Sequence, residues 1–185
     1  MSALDVLENL KGIEACSLKP LQRVLIITDG TLTEILEATF LERIRLIKIS
    51  QKTISSITAH AQLATDAGEI LLERKILLQG TESHKNYVYA ESTIAINRLP
   101  ISFRDELVNS DTSLGRLWLK HKLETFKELL EVRRERANDL CKYFNCENYD
   151  MLLVRTYRVI SATVPIMVIS EYFPVEYELK QRDDG

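Results

Sequence analysis

Two charged side chains occupy positions where the alternation of the chain calls for apolar ones. In Val164-Pro-Ile-Met-Val-Ile-Ser-Glu171-Tyr-Phe-Pro174, strand side chains alternate with a period of two, so Pro165, Met167, Ile169, Glu171 and Phe173 share a face. The other members of that face are apolar, which marks it for burial. A carboxylate buried without a partner is costly, so Glu171 must be paired, neutralised or turned toward a ligand. In Ile70-Leu-Leu-Glu-Arg74-Lys-Ile-Leu-Leu78 the even positions are apolar apart from Arg74, an inward-facing guanidinium on a strand. A guanidinium is a planar fork of donors suited to a carboxylate, and a desolvated carboxyl group accepts from, or donates to, a hydroxyl. Together the two describe a site for a small acidic, hydroxylated ligand. The alternative is that Arg74 and Glu171 neutralise each other as a core ion pair.

A third feature is the start of a helix. Asp111-Thr-Ser113-Leu-Gly-Arg-Leu-Trp118 supplies capping residues followed by a periodic apolar run. The free amides of a helix N-terminus bind anions, although Thr112 or Ser113 acting as a simple cap explains the same residues. Gly115, just inside this helix, costs up to about 1 kcal/mol relative to alanine, which suggests close approach of something to the backbone. Metal chemistry is not expected. His60, His84 and His121 are scattered, and Cys141 and Cys146 have no second pair at ligand spacing. Phosphate-binding glycine loops and the G-x-S-x-G nucleophile motif are absent from the sequence.

These residues need elements to carry them. The spacing of Leu4, Leu7, Leu10 and Lys11 predicts a short helix within Ser2–Ile13, and Pro20 opens a second one. Asp29-Gly30 breaks it, and a third helical pattern runs over Thr31–Phe40. Strands are expected over Glu42–Ile54, Glu69–Gln79 and Asn86–Asn97. In the last of these Val88, Ala90, Ser92 and Ile94 face inward, with Tyr89 and Glu91 outward. If that hairpin pairs symmetrically about Gly80–Lys85, Ser92 lies opposite Arg74 and Glu91 opposite Lys75, which leaves Arg74 without an acid on the neighbouring strand. Pro100 begins a further helix. Glu124–Val132 is helix or strand on periodicity, and Arg134–Phe144 reads as a helix through Ala137, Leu140, Cys141 and Phe144. The chain closes with two strands joined at Ser161–Val164. Hairpin-linked strands with inserted helices make the fold class α+β, a single antiparallel sheet with helices on one face.

With 185 residues the default is one domain spanning 1–185. A net charge of −3 gives no basic footprint, so nucleic acid is not an expected partner. Arg133, Arg134 and Arg136 alternate with Glu131 and Glu135 in the manner of a solvated face. No apolar run approaches the roughly 20 residues that span a bilayer, and the N-terminus lacks the pattern of a secretion signal. A cytoplasmic protein with reduced thiols and no membrane association is expected.

Four segments in order resemble the chorismate pyruvate-lyase family in its archaeal and bacterial branch. They are Asp29-Gly-Thr-Leu-Thr-Glu-Ile-Leu36, Arg74-Lys-Ile-Leu-Leu78, Ser113-Leu-Gly-Arg-Leu117 and Val164-Pro-Ile-Met-Val-Ile-Ser-Glu-Tyr-Phe-Pro174. The resemblance implies an antiparallel sheet with a ligand sealed beneath helical flaps. It also implies conversion of chorismate to 4-hydroxybenzoate and pyruvate without metal or organic cofactor. Carried over by position, Arg74 and Glu171 would be the catalytic pair, Arg74 on the ring carboxylate and Glu171 on the ring hydroxyl. Leu114, beside Gly115, and Leu32 would offer backbone amides to the substrate. Where better-known members have a second arginine this chain has Ser92, and Arg158, sharing a face with Val154 and Ile160, is the candidate replacement. The same fold resembles the effector domains of GntR-type regulators, which makes a non-catalytic small-molecule-binding domain the alternative. No basic recognition helix precedes Glu42, which argues against a DNA-binding regulator.

Overall fold

A computed structural model of the chain describes residues 3–175, apart from positions 9 and 11. Ser2 and Lys11, assigned to the first helix from sequence, lie outside the described residues. The helices are α1 (Ala3–Glu8), α2 (Pro20–Ile27), α3 (Leu32–Phe40), α4 (Ile101–Asn109), α5 (Leu114–His121) and α6 (Cys141–Phe144). The strands are β1 (Ile44–Ser55), β2 (Ile70–Gly80), β3 (Asn86–Ala95), β4 (Phe126–Arg136), β5 (Met151–Ser161) and β6 (Val164–Pro174). They form one six-stranded antiparallel sheet in the order β1-β2-β3-β6-β5-β4, so the fold class is α+β as the sequence implied.

One face of the sheet carries two helical clusters. Leu25, Ile26, Leu32, Leu36 and Phe40 of α2 and α3 pack on Leu78, Val88, Leu153 and Phe173. Phe103, Leu107 and Leu117 of α4 and α5 pack on Leu72, Ile94, Val159 and Met167. Phe103 and Leu107 are fully buried, and each burial of this kind contributes roughly 1.5–3 kcal/mol. The seam between the two clusters lies over the middle of β2, β3 and β6. Pro20 supplies the pre-set φ at the start of α2, where Gln22 Oε1 accepts from the Lys19 amide at 2.9 Å.

The opposite face corrects two expectations. Tyr89 does not face solvent: it is 3% exposed, stacked on Tyr143 of α6 and edge-on to Tyr172. The helix read over Arg134–Phe144 starts later than expected: Arg134–Arg136 belong to a strand, and the helical stretch is Asn138–Phe144. β4 runs to Arg136 because each residue there has a partner on β5, from Arg133 opposite Val154 to Arg136 opposite Met151. Only Cys141–Phe144 is α-helical, after a single 3-10 turn. Arg133 donates along the strand to Glu131 and Glu135, the period-two pairing of a charged strand face rather than the three-to-four spacing of a helix. Helices are thus not confined to one face.

Glu42 ties the β2–β3 hairpin to the start of β1. Its Oε2 accepts from the amides of Glu82 and Ser83 at 3.0 Å, and its Oε1 from Ser83 Oγ at 2.7 Å and the Tyr87 hydroxyl at 2.5 Å. Gly80 is required beneath it, since a Cβ there would lie 2.5 Å from the carboxylate. Burial alone would raise this carboxyl pKa, but the hydrogen bonds from Tyr87, Ser83 and Glu82 outweigh it and hold it at about 2 against an ordinary 4.5. A depressed pKa contributes stability that is complete above 4.5 and lost as the pH falls toward about 2. Glu42→Gln is therefore expected to cost about 2 kcal/mol at neutral pH, the worth of hydrogen bonds to a buried charge. In urea titrations the gap between the two proteins should close as the pH drops through this window. A gap independent of pH would overturn the assignment.

Candidate functional site

Arg74 sits in the middle of β2, 2% exposed, on the face covered by the helices. As expected from the sequence, it pairs with Ser92 and Lys75 pairs with Glu91. Ser92 Oγ donates to the carbonyl of Arg74 at 3.4 Å and does not reach the guanidinium. On the other side Gln51 faces Arg74 but donates to the carbonyl of Val108. The guanidinium Nε and Nη2 are buried without a hydrogen-bond partner. Burial pulls the pKa of Arg74 down and distant Asp111 opposes this, yet an arginine keeps its charge at any ordinary pH. A buried, charged donor fork with nothing to donate to is costly, and it points to an anion that the folded chain itself does not provide.

Glu171 is not the partner of Arg74, so the core ion pair considered between them does not exist. Glu171 is 6% exposed and its Oε2 accepts from Nε and Nη2 of Arg155 at 2.9 and 2.6 Å. Its Oε1 accepts from the Tyr157 hydroxyl at 2.9 Å. Desolvation works to lower the pKa of Arg155, and the Glu171 carboxylate outweighs it, leaving the guanidinium higher than usual. Burial raises the Tyr157 hydroxyl well above its ordinary range, and the Glu171 charge adds to the effect. The remaining Nη1 of Arg155 donates to the carbonyls of Ile26 and Thr28 at 3.2 and 3.1 Å. Arg155 therefore satisfies the C-terminal end of α2 as well as orienting Glu171.

Two helices begin over these residues. In α3 the first internal bond runs from Ile35 to the Thr31 carbonyl, and in α5 from Leu117 to Ser113. The amides from Leu32 to Glu34 and from Leu114 to Arg116 thus have no acceptor within their helices. Neither Thr31 nor Ser113 makes a side-chain cap, so the simple capping reading of Ser113 does not hold. Gly115 is explained by a neighbouring segment: a Cβ there would lie 2.5 Å from the methyl group of Thr31. Lys127, on β4, anchors the turn before α3 by donating to the carbonyls of Asp29 and Gly30 at 2.8 and 3.0 Å. Its ammonium lies 5.5 Å from the ring centres of both Trp118 and Tyr157. Desolvation lowers its pKa, with Glu171 acting the other way.

Arg74, Glu171, Tyr157, Lys127 and the two helix starts surround one cavity of about 70 Å³, several times the space a single water needs, with Arg155 behind its wall. Arg74, Ser92, Glu171, Leu32, Leu114 and Gly115, each singled out from sequence, line it. The floor and walls are otherwise apolar, with Ile76, Leu78, Val88, Ala90 and Ile169 among them. Among the described residues, buried side-chain polar atoms without a partner include Thr31 Oγ1, Trp118 Nε1 and the two Arg74 nitrogens, and all three residues line this cavity. Arg158 does not line it. Its Nε donates to Glu128 at 2.6 Å on the partly exposed side of β5, so it does not replace a second site arginine.

Sequence reasoning missed Arg155, Tyr157, Trp118 and Lys127. For the first two a signal existed, since Leu153, Arg155, Tyr157 and Val159 alternate as one face of β5, but the even positions of that strand are equally apolar. Lys127 carried no signal, because the strand or helix identity of Glu124–Val132 was open, and Trp118 read only as part of the apolar run of its helix.

The sequence and the fold both have known relatives. A family model described as "Chorismate pyruvate-lyase Rv2949c-like" matches residues 26–181. The chain is 32% identical over 159 residues to a chorismate pyruvate-lyase of Mycobacterium tuberculosis, covering 82% of this chain and 78% of the relative. It is 30% identical over 155 residues to the chorismate pyruvate-lyase of Mycobacterium leprae, covering 82% and 72%. Similar solved structures share the fold at lower identity. The effector domain of PhnF from Mycobacterium smegmatis aligns with a TM-score of 0.62 at 12% identity, over 80% of this chain and 90% of that one. The C-terminal domain of the histidine utilization repressor of Pseudomonas syringae aligns at 0.59 and 14%, over 77% and 100%. A match that takes in β1 to β6, both helix starts and the residues around the cavity decides the family: the chain belongs to the Rv2949c-like chorismate pyruvate-lyases.

Proposed function

We propose that the chain catalyses the conversion of chorismate to 4-hydroxybenzoate and pyruvate in the cavity between α3, α5 and the sheet. The observation that carries this reading is the unpartnered Arg74 fork at one end of an apolar chamber whose other acid–base group, Glu171, is already held in place. Ile76, Ala90 and Glu171 form one cross-strand row, and Arg74, Ser92 and Ile169 the next one on the same face. Sheet spacings put the Cα atoms of Arg74 and Glu171 about 12 Å apart. Side chains reaching in from both ends suit a ring that carries a carboxylate and a hydroxyl in para positions.

In this reading Arg74 takes the ring carboxylate through Nε and Nη2, joined by the Leu114 amide. Glu171, with Arg155 and Tyr157 fixing both its oxygens, accepts from the ring hydroxyl. Leu32 presents its free amide from the facing helix. Loss of the C4 hydrogen and of the enolpyruvyl ether bond makes the ring aromatic, and the same proton completes the methyl group of pyruvate. The chemistry is downhill once begun, so the work of the protein is to hold the reactive conformer and keep water away. No metal or organic cofactor enters this scheme.

Purified protein incubated with chorismate is expected to release 4-hydroxybenzoate and pyruvate in equal amounts, followed by chromatography and a coupled pyruvate assay. A chelator should leave the rate unchanged, and loss of activity in its presence would overturn the cofactor-free mechanism. Tight binding of 4-hydroxybenzoate with no turnover would instead favour the ligand-sensing role suggested by the effector-domain fold.

A further inference from the structure

The cavity holds a second cation that the functional reading leaves without a ligand. Arg74, Ser92, Ile169, Tyr157 and Leu129 form one continuous cross-strand row over β2, β3, β6, β5 and β4, and Lys127 lies two residues from its end. At the usual strand spacings the backbone positions of Arg74 and Lys127 are about 20 Å apart, with both long side chains lining the cavity between them. Glu171 belongs to a strand between the two.

An ammonium has three donors. Lys127 spends two on the carbonyls of Asp29 and Gly30, and no acid lies within ion-pair distance of it among the described residues. Beside it the indole of Trp118 has a buried Nε1 donor without an acceptor. Two unspent donors, one of them cationic, face an otherwise apolar wall. That is the chemistry of a carboxylate subsite, distinct from the one at Arg74.

We propose that Lys127, with Trp118 Nε1, receives the carboxylate of the enolpyruvyl group, so that the site takes a dianion and releases a monoanion at the Arg74 end. The inference rests on the proposed lyase reaction. It assigns to Lys127 what that reaction lacks, a group that binds substrate but not 4-hydroxybenzoate. Once the ether bond breaks, the two carboxylates belong to separate molecules, and the pyruvate held by Lys127 gains nothing further from the ring.

The test compares wild type, Lys127→Met and Lys127→Arg in two measurements, steady-state kinetics on chorismate and calorimetric binding of 4-hydroxybenzoate. Lys127→Met is expected to lower kcat/KM at least 100-fold, mainly through KM, while the Kd of 4-hydroxybenzoate changes less than about threefold. Lys127→Arg, which keeps the charge, should recover part of the loss. If Lys127 only anchors the Asp29–Gly30 turn, product and substrate affinity will fall together in Lys127→Met, and the subsite is overturned. An unchanged KM overturns it as well. Should Lys127→Met fail to fold, the same comparison is read from Trp118→Phe, which keeps the ring and removes only Nε1–H. A wild-type protein that binds 4-hydroxybenzoate but neither binds nor converts chorismate would remove the lyase reading itself and this assignment with it.

Discussion

Arg74→Ala is expected to weaken 4-hydroxybenzoate binding by about 3 kcal/mol, more than a hundredfold in Kd, and to remove detectable turnover. The magnitude follows from the state of the guanidinium before ligand arrives. Its Nε and Nη2 donate to nothing, and Ser92 and Gln51, the residues opposite it on both neighbouring strands, hydrogen-bond elsewhere. An anion that arrives there meets a desolvated fork already fixed in place, so little ordering cost offsets the interaction. The same reasoning gives an opposite sign for the empty protein. Removing an unpaired buried charge should raise its melting temperature, because polarity of this kind is kept for binding at a cost to stability. Arg74→Lys should recover binding only in part, since a point charge does not replace two parallel donors. Calorimetry and thermal melting of the same preparations check both signs. Unchanged product affinity in folded Arg74→Ala would return this residue to a scaffold role.

Arg74 was legible in the sequence because its surroundings are regular. The alternation of β2 around it is unbroken, so its face is readable, while the pairing with Ser92 is reached through a one-residue bulge beside the turn: Gln79 pairs with Asn86 but Leu78 with Val88. The partner of Glu171 was hidden by an irregularity. Ser161 pairs with Val164 and Ile160 with Pro165, but Val159 pairs with Met167, so the ladder skips Ile166. Without that bulge Arg158 would stand opposite Met167 and share the face of Glu171, which is the arrangement the alternation suggested. With it, Arg155 stands opposite Glu171 and Arg158 turns to Glu128. One extra residue next to a proline thus exchanges which arginine is buried. The late start of the helix read over Arg134–Phe144 has a different cause. The apolar spacing that signalled it begins only at Ala137, and the residues just before, Arg134–Arg136, gain ladder partners on β5, from Leu153 to Met151, so tertiary pairing sets where the helix can start.

The family resemblance and the anomalies of burial pointed to the same residues for a physical reason. Both helix starts, the turn between α2 and α3, and the ends of the two cationic side chains converge over the sheet at one spot. Arg155 binds the carbonyls of Ile26 and Thr28, and Lys127 those of Asp29 and Gly30, so four of five consecutive carbonyls in that turn are held by cations from β5 and β4. The turn delivers Leu32 to the cavity. The effector domains that share the fold have their own ligands to hold, and common topology does not carry the chemistry over. On the proposed lyase reading, Glu171, on a strand between those of Arg74 and Lys127, is the group a plain binding module would not need.

Glu171→Gln is expected to do two things at once, and their combination separates its roles. Arg155 is 2% exposed and Nε and Nη2 both meet Glu171 Oε2, so neutralising the acid leaves a buried cation with neutral acceptors alone, an amide oxygen and the carbonyls of Ile26 and Thr28. Breaking one half of a buried pair in this way costs about 3 kcal/mol, to be read as a lower urea midpoint. Had Glu171 faced only a ligand, no such loss would follow. Turnover of chorismate should fall by a factor of about 100 or more, since an amide reproduces neither the charge nor the proton equilibrium of the acid beside the ring hydroxyl. Stability loss alone could be mistaken for loss of function, so the double variant Arg155→Met/Glu171→Gln supplies the control. It removes the stranded cation, and should regain part of the stability while remaining inactive. Normal turnover in a destabilised Glu171→Gln would make this residue part of the scaffold, with its position on the cavity wall explained by Arg155 and Tyr157 alone.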